Sequence, residues 1–250
     1  MNIQRGDIIQ LGRHRLLCGD STDSEQVRKL IEKDKVKIIL TDPPYGVDYV
    51  SSKKDFTKLG VGEGSRDIQN DQIQDNPTYE EFTRKWLQAV IPYLESYNTY
   101  YIFNSDLMFC PLRHAIEQSG MYYSQMIIWI KNNVVVGRKD YLMQHELIAY
   151  GWYGRHKMER SKAKSVLFHP KPSRSKLHPT MKPVGLLRKL IFNTSKNDTI
   201  VYDPFLGSGS TLIACEQIGR TCLGVEMDAK YCETIIARWE KLTNKKAIKR

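Results

Sequence analysis

Short apolar segments separated by helix-like stretches are the feature that most constrains the fold of this chain. Most of the apolar segments are nearly continuous runs, which is typical of strands buried on both faces of a sheet. Their alternation with helices predicts an α/β fold with a mostly parallel sheet and right-handed crossovers. The predicted strands cover residues 37–40, 99–103, 123–130, 147–150, 199–202 and 221–225. The predicted helices cover residues 24–31, 78–94, 107–118, 184–194, 211–218 and 229–242.

The size and composition of the chain indicate one globular domain. Its 250 residues are enough for one substantial α/β core, and its content of 41% hydrophobic and 26% charged residues is typical of globular proteins. No apolar run approaches the roughly 20 residues that span a bilayer, and the polar first residues lack the apolar stretch of a signal peptide. We therefore expect a single domain over residues 1–250 and a cytoplasmic location.

Two polar segments do not fit the predicted core. Residues 48–71 are glycine-containing and polar, and they predict a long mobile loop. Residues 153–177 predict a small basic insertion, because residues 155–178 hold eight lysines and arginines against one acid, Glu159. The whole chain has 38 Lys and Arg against 28 Asp and Glu, and its net charge of +10 favours a polyanionic partner such as nucleic acid.

The cysteines and histidines show no metal-binding pattern. The five cysteines are odd in number and have no CxxC spacing, which argues against a disulfide framework and a structural zinc site. We expect buried, reduced thiols. The pair His145-Glu146 has no further ligand at a suitable spacing, so a structural or substrate-loop role is expected for it instead of metal binding.

A glycine-rich turn follows the predicted strand at 199–202. Asp203 ends the strand, Gly207-Ser208-Gly209 forms the turn and a helix follows, which is the layout of a nucleotide-type cofactor site. Glu226 ends the next strand, 23 residues after Asp203, where an acid can accept hydrogen bonds from ribose hydroxyls. The third glycine of the dinucleotide fingerprint is missing, which disfavours a pyrophosphate site. Taken alone, the turn also suits a purely structural connection.

The segment Asp42-Pro43-Pro44-Tyr45 follows the predicted strand at 37–40. The two prolines fix φ and donate no backbone hydrogen bonds, so the segment is stiff and offers its carbonyls and the Asp42 carboxylate as acceptors. An exocyclic amino group of adenine or cytosine is a poor nucleophile, because its lone pair is delocalised into the ring. Two acceptors on its N–H groups can free that lone pair, and Tyr45 can stack on a base that has left the duplex. A turn that closes a strand, with Tyr45 as packing, is the alternative interpretation.

These motifs together resemble those of the amino-methyltransferases that act on adenine N6 or cytosine N4 of DNA. Residues 42–45 resemble the catalytic motif of that family, residues 203–211 its S-adenosylmethionine loop, and Glu226 its ribose-binding acid. Residues 16–21 resemble a segment whose Asp contacts the adenine of the cofactor. Residues 178–183 resemble a segment that opens a helix beside the methionine part of the cofactor, where Lys182 and the helix N-terminus can hold a carboxylate.

The order of the motifs resembles the beta subgroup of the family. The catalytic motif comes first, the basic insertion next and the cofactor loop last, which is the circularly permuted order of many restriction-modification and orphan adenine methylases, bacterial or phage-encoded. The resemblance implies a Rossmann-like methyltransferase sheet, S-adenosylmethionine as cofactor, no metal, and DNA as partner. Since family members are often dimers, it also implies a homodimer.

The resemblance and the charge pattern together imply a set of site residues. The expected catalytic residues are Asp42, Pro43, Pro44 and Tyr45. The expected cofactor-binding residues are Asp20, Ser21, Asp42, His178, Thr180, Lys182, Asp203, Phe205, Gly207, Ser208, Gly209, Ser210, Glu226 and Met227. The expected DNA-binding residues are Arg138, Lys139, Arg155, Lys157, Arg160, Lys162 and Lys164.

Three alternatives to an adenine-N6 methylase stay open on the sequence. A cytosine-N4 enzyme is less favoured, because such enzymes more often begin the catalytic motif with Ser than with Asp. RNA and glutamine methylases use related motifs that begin with Asn. A non-enzymatic, DNA-binding relic is disfavoured by the intact Asp42, Tyr45, Asp203 and Glu226. The target sequence is not readable, because base readout depends on a few side chains placed in a groove.

Overall fold

The computed structural model describes residues 1–45, 75–135, 140–160, 162–170 and 181–250. The strands, in chain order, are β1 (Ile8–Leu11), β2 (His14–Cys18), β3 (Val36–Thr41), β4 (Leu94–Asn104), β5 (Tyr122–Val135), β6 (Met143–Trp152), β7 (Val166–Phe168), β8 (Ile200–Asp203), β9 (Thr221–Glu226) and β10 (Ile248–Lys249). The helices are α1 (Ser24–Ile31), α2 (Asn76–Val90), α3 (Phe109–Gln118), α4 (Val184–Thr194), α5 (Ser210–Gln217) and α6 (Ala229–Thr243), with a 3-10 turn at Ile91–Tyr93.

The described residues form one ten-stranded sheet with the strand order β10-β1-β2-β9-β8-β3-β4-β6-β5-β7. The five central strands from β2 to β4 are parallel to one another. Outside this centre, β1 is antiparallel to β2 and β10, and β6 is antiparallel to β4 and β5, whereas the edge strand β7 is parallel to β5. The sheet is therefore mixed, and the predicted parallel arrangement is found mainly in its centre. Only seven residues separate β5 from β6 in the sequence, which is too few for a crossover helix, and the two neighbouring strands are antiparallel.

Helices cover both faces of the sheet. Along β3, Leu40 points to one face and Ile39 to the other, as the alternation of side chains in a strand requires. Helices α4, α5 and α6 pack against the first face, and α1, α2 and α3 pack against the second. Each central strand is thus buried on both sides, which explains its nearly continuous apolar sequence.

The helix ends follow from local capping. Asp23 begins α1 by accepting hydrogen bonds from the backbone N–H groups of Glu25 and Gln26, and Asp228 begins α6 in the same way. A left-handed Asn244 ends α6. All six predicted helices are present, two of them (α1 and α4) with the predicted bounds.

Four strands, β1, β2, β7 and β10, were not predicted from the sequence. The positions of β7 and β10 show that two expectations were wrong. The basic residues 245–250 have a sequence that predicts a frayed tail, but β10 lies within them, pairs with β1 and extends the sheet. Within the predicted insertion at 153–177, β7 pairs with β5 and buries Leu167, so this part belongs to the sheet. Both strands are too short to produce a periodic pattern. The loop predicted at 48–71 lies outside the described residues.

A buried histidine links β2 to α5 and β9. The N–H of Cys222 donates to Nδ1 of His14 over 2.9 Å, so Nε2 carries the hydrogen and donates to Glu216 over 2.8 Å. Burial lowers the pKa of His14, and the Glu216 carboxylate only partly opposes this. The neutral imidazole is therefore the form that the fold stabilises.

We expect the fold to lose stability as His14 is forced to take up a proton. The free energy of unfolding, measured with urea, should fall as the pH decreases below about 6.5, because the unfolded histidine gains a proton that the buried one resists. The variant His14→Gln, neutral at every pH, should lack this component. The free energy of unfolding of the wild type, minus that of the variant, should be smaller at pH 5 than at pH 8. An equal or larger difference at pH 5 would contradict the prediction.

Candidate active site

Acidic and polar side chains from five neighbouring strands meet at one edge of the sheet. Because β2, β9, β8, β3 and β4 are parallel and adjacent, their carboxyl ends lie side by side. These ends carry Asp20, Glu226, Asp203, Asp42 and Asn104. This edge is where ligands of open α/β sheets bind.

Asp203 is buried and held by hydrogen bonds at the end of β8. Its Oδ1 accepts a hydrogen bond from the Thr41 hydroxyl over 2.8 Å and another from the Phe205 N–H over 3.1 Å. Burial raises the pKa of Asp203 to about 6, while the hydrogen bonds from Thr211, Thr41 and Phe205 oppose the rise. The carboxylate therefore fixes the start of the glycine-rich turn.

The glycine-rich turn requires two left-handed residues. Gly207 has φ +54° and Gly209 has φ +82°, and a Cβ at Gly209 would lie 3.0 Å from the Ile235 side chain. The turn is tied to the next strand by Glu226, whose carboxylate accepts the N–H of Gly207 over 2.8 Å and of Asp228 over 2.9 Å. Burial raises the pKa of Glu226 to about 7.

The other predicted residues of the turn have different surroundings. The Phe205 ring packs against Phe82 and Trp86, with ring centroids 5.6 Å and 5.7 Å apart. Ser208 faces the interior and accepts hydrogen bonds from Arg238 through its carbonyl and its hydroxyl, so its side chain does not line the sheet edge. The buried hydroxyl of Ser210 has no hydrogen-bond partner among the described residues.

A cavity of about 520 Å³ opens between the loop after β2 and helix α2. Asp20 lies in its wall, where its Oδ1 accepts hydrogen bonds from the N–H and the hydroxyl of Thr22. Ser21 beside it is buried. Phe82, which contacts Phe205, connects the cavity to the glycine-rich turn. The cavity is lined by Asp20, Thr22, Pro77, Thr78, Glu81, Phe82 and Lys85.

The Asp42 carboxylate is held from both sides after β3. The Tyr45 hydroxyl donates to Oδ1 over 2.5 Å, and the Lys182 ammonium contacts Oδ2. Burial raises the pKa of Asp42, and the positive charge of Lys182 opposes this. Burial would also lower the pKa of Lys182, but the neighbouring carboxylates of Asp42 and Glu146 outweigh it and the pKa is raised. The site therefore holds an ion pair between Asp42 and Lys182.

The position of Lys182 argues against the role expected for it. Its ammonium is buried and contacts Asp42 together with Glu146, which lies 3.1 Å away. A group already paired with two carboxylates is poorly placed to hold the carboxylate of a cofactor. Lys182 thus belongs to the surroundings of the catalytic motif.

Two further charged residues join this site that the motifs did not predict. Glu146 lies on β6 and Lys131 on β5, and their side chains form an ion pair of 2.7 Å in which both are largely buried. The pairing of β5 with β6 places Trp129 opposite Glu146 and so brings Lys131 beside it. The sequence shows an isolated acid and lysine 15 residues apart, so only the strand register reveals the contact.

The basic residues predicted for DNA binding that lie in the described ranges are exposed, but they do not all share the edge with Asp42. Arg155 pairs with Tyr97 near the amino end of β4, and Arg160 lies over Phe192 at the carboxyl end of α4, whereas Lys182 precedes the start of α4. Arg155 and Arg160 therefore lie near the amino ends of the central strands, at the edge of the sheet opposite the candidate site. The exposed members of the set are Arg155, Lys157, Arg160, Lys162 and Lys164.

Four of the predicted site residues, His178, Thr180, Arg138 and Lys139, lie outside the described residues. Within the described part of the chain, no group of three or more His, Cys, Asp or Glu side chains is arranged to hold a metal ion. Four of the five cysteines are buried free thiols as expected, but Cys110 is exposed. No helix in the described ranges is long and apolar enough to cross a membrane.

Residues 36–237 match the model of the N6/N4 methyltransferase family, which is described as DNA methylase. The chain belongs to this family. Type II methyltransferase M.HpaI of Haemophilus parainfluenzae is 25% identical to this DNA methylase over 246 residues, which are 88% of this chain and 72% of M.HpaI.

Two solved structures share the fold of this DNA methylase. The M1.HpyAVI–SAM complex has a TM-score of 0.64 and 22% identity, with 89% of this chain and 98% of that chain covered. The PvuII DNA methyltransferase, described as cytosine-N4-specific, has a TM-score of 0.69 and 16% identity, with 94% and 92% covered. The expected methyltransferase α/β fold is thereby confirmed.

We expect the hydrogen bond between Thr41 and Asp203 to stabilise this DNA methylase mainly when Asp203 is ionised. The variant Thr41→Val removes the donor at constant shape and should lower the free energy of unfolding by about 1–3 kcal/mol. Because the pKa of Asp203 is about 6, the loss in urea unfolding should be larger at pH 8 than at pH 5.

The matched control for this experiment is Thr41→Ser, which keeps the hydroxyl and should retain the pH-dependent part of the stability. Equal losses for the Val variant at the two pH values would show that the hydrogen bond does not act on the ionised carboxylate.

Proposed function

We propose that this DNA methylase transfers a methyl group from S-adenosylmethionine to the N6 amino group of adenine in DNA. The observation that carries the proposal is the placement of the Asp42-Pro43-Pro44-Tyr45 segment beside the turn fixed by Asp203 and Glu226. One edge of the sheet then offers acceptors for an amino group next to a site for a cofactor. Adenine is favoured because the catalytic motif begins with Asp.

The residues around the turn suit S-adenosylmethionine. The Glu226 carboxylate would accept hydrogen bonds from the ribose hydroxyls, since it ends the strand after the turn. The cavity beside Asp20 and Phe82 would take the adenine ring, with the Asp20 carboxylate as acceptor for its amino group. The Ser210 hydroxyl, which has no partner among the described residues, is a free polar group near the turn. The cofactor supplies an electrophilic methyl group on a sulfonium.

The catalytic segment would hold the target base. Tyr45 would stack on the adenine after it has left the duplex, and the Asp42 carboxylate and a carbonyl of Pro43 or Pro44 would accept its two amino hydrogens. The amino lone pair then forms the N–C bond while the C–S bond breaks and leaves its electron pair on sulfur. The amino nitrogen loses one proton, which Asp42 accepts and passes to water. Positioning contributes more than base strength to such an in-line transfer.

DNA is the proposed partner, and the basic segment at 153–177 is the proposed target-recognition part. Lys162 and Lys164 come just before β7, which runs parallel to β5 toward the edge that carries Lys131. Because they precede β7, they lie toward the amino end of that strand, and contact with DNA is proposed for them from their positive charge and exposure. The homodimer implied by the resemblance stays a prediction.

The base that is methylated can be identified directly. Purified protein, S-adenosylmethionine and unmethylated genomic DNA should give N6-methyladenine in a mass analysis of nucleosides, and Asp42→Asn should lower the rate by at least about 100-fold. Binding of S-adenosylmethionine, measured by calorimetry, should persist in the variant. The matched control Asp198→Asn, at an exposed carboxylate, should keep full activity.

The outcomes separate the alternatives. N4-methylcytosine as the sole product would replace the adenine proposal with a cytosine one. Methylation of RNA without methylation of DNA would change the substrate class. A wild-type protein that binds no S-adenosylmethionine would favour the DNA-binding relic.

We expect cofactor binding to weaken as the pH falls below about 7. The pKa of Glu226 is raised to about 7, and ribose hydroxyls bind the ionised carboxylate better than the protonated one, so binding should release a proton at pH 6. Calorimetry in two buffers of different ionisation enthalpy would measure that release. Glu226→Gln should bind more weakly and with a flatter pH dependence; a variant with the wild-type pH dependence would assign the titration to another group.

A further inference from the structure

A buried row of alternating charges leads away from the catalytic carboxylate. Asp42 contacts Lys182, Lys182 lies 3.1 Å from Glu146, and Glu146 lies 2.7 Å from Lys131. Lys131 and Lys182 are almost completely buried, and Glu146 is largely buried. We call these four residues the charge row. It contains two anions and two cations, so its net charge is zero.

We propose that Glu146, held in place by Lys131, is a positioning residue that draws Lys182 away from Asp42 when the target base enters. The proposal rests on the proposed function, because it concerns the carboxylate that accepts the amino hydrogens of the base. Its consequence is that Asp42 is released for the base while Lys182 keeps a carboxylate partner and does not become an unpaired buried ion.

The need for such a release follows from the contacts of Asp42. Its Oδ1 accepts the Tyr45 hydroxyl and its Oδ2 contacts Lys182, so both oxygens already have partners. Each ionised oxygen can accept a second hydrogen bond, but the Lys182 ammonium compensates the negative charge that makes Oδ2 a strong acceptor for an amino group. The ring of Tyr45 is required for stacking in the proposed function, so Lys182 is the partner whose withdrawal would strengthen Asp42 as an acceptor.

The geometry allows Lys182 to withdraw at low cost. Its ammonium already contacts both Asp42 and Glu146, so a small movement of one side chain moves it from shared contact to Glu146 alone. The Phe103 ring, 5.0 Å from the ammonium, offers a further favourable surface for the cation. A buried lysine without a carboxylate to move to would instead stay on Asp42, because an unpaired buried charge is strongly disfavoured.

Lys131 explains why Glu146 stays in place during this movement. Its ammonium pairs with Oε1 of Glu146, whereas Lys182 approaches Oε2, so the two lysines use different oxygens. Lys131 is also packed on the Trp129 ring at 5.4 Å and sits on the strand next to Glu146. Glu146 is thereby fixed between two cations and can receive Lys182 without moving.

The charges that face Asp42 also set how firmly it holds a proton. Burial raises its pKa, Lys182 lowers it, and the negative charge of Glu146 raises it again. Three further ionisable groups surround Asp42. The Tyr45 hydroxyl donates a hydrogen bond to it, Asp203 lies at the end of the neighbouring strand β8, and Tyr79 of α2 interacts with Tyr45. Removal of the charge on Glu146 should therefore leave Asp42 more acidic and more firmly paired with Lys182.

The test uses three variants and one control. Glu146→Gln removes the charge at constant shape, Glu146→Asp retains it, and the double variant Lys131→Met/Glu146→Gln removes one charge of each sign so that the row stays neutral. Glu117→Gln, at an exposed glutamate on α3 that pairs with Arg113, is the matched control. The DNA is the genomic substrate that the wild type methylates.

We expect kcat of both Gln-containing variants to fall by at least about tenfold, with unchanged affinity for S-adenosylmethionine in calorimetry. The acid limb of the profile of kcat against pH should move to lower pH, because Asp42 loses the neighbouring negative charge. Glu146→Asp should restore most of the rate, and Glu117→Gln should match the wild type. A merely structural role for Glu146 would lower kcat without moving the acid limb, and that result would overturn the proposal.

A second measurement follows the ammonium group of Lys182 directly and does not depend on methyl transfer. Buried lysine ammonium groups give slowly exchanging ¹⁵N signals in NMR spectra, and Lys182 can be assigned from the loss of its signal in Lys182→Met. In Glu146→Gln, the Lys182 signal should stop responding to addition of the DNA substrate, whereas in the wild type it should shift. A Lys182 signal that responds equally in both proteins would overturn the proposal even if the rates fell.

The two proposals fail in different ways. If the wild type methylated no nucleic acid, the proposed function would fail. If, in addition, DNA did not change the Lys182 signal of the wild type, the proposed withdrawal of Lys182 from Asp42 would be rejected as well. If the wild type methylated adenine while the acid limb of Glu146→Gln stayed in place, the proposed function would stand and the role of Glu146 would be rejected.

Discussion

Carboxylates buried at the carboxyl ends of parallel strands need donors or counter-charges, because an ionised group taken out of water without them costs several kcal/mol. At this edge of the sheet, the buried carboxylates are stabilised in two different ways. Asp203 and Glu226 are satisfied mainly by hydroxyl and backbone N–H donors, and their pKa values rise to about 6 and about 7. Asp42 is instead paired with the buried cation Lys182.

These two solutions suit different tasks. A carboxylate that holds backbone N–H groups fixes the shape of a turn, since each hydrogen bond constrains both partners. Glu226 does so for Gly207 and Asp203 does so for Phe205, and the turn between them keeps its left-handed glycines in place. A carboxylate paired with a lysine side chain can change partner without disturbing the backbone. Asp42, on its stiff Pro-Pro segment, is of that second kind.

The sequence predicted four of the five central strands, all except β2, because their signals are local and strong. The buried strands β3, β8 and β9 are apolar runs, and helix caps and turn residues adjoin them. Asp42, Asp203 and Glu226 could therefore be placed at strand ends from the sequence alone. Topology then required these ends to lie together. The short edge strands β7 and β10 carry no such pattern, and their pairing comes from tertiary contacts that a local reading does not contain.

The charge row shows the same limit within the site. No motif in the sequence connects Lys131 with Glu146, and their contact depends on the register of the antiparallel strands β5 and β6, whose pairing contains register shifts. A shift of one residue would send both side chains to the opposite face of the sheet. The cofactor-binding role expected for Lys182 stays a prediction: the motif located the residue beside a helix start, but it did not reveal the ion pairs of its side chain with Asp42 and Glu146.

Thr41 gives the site a physical link between its two halves. It is the last residue of β3 and precedes Asp42 directly, while its hydroxyl donates to Asp203 at the end of β8. The register of β3 with β8 and a buried hydrogen bond therefore fix the segment at residues 42–45, to which we assign catalysis in the proposed function, relative to the glycine-rich turn. Methyl transfer requires donor and acceptor atoms in line, and a misplacement of about 1 Å is enough to slow such a reaction strongly. A short, buried bond between the two strand ends is a direct way to hold that alignment, because neither half can shift along the sheet without breaking it.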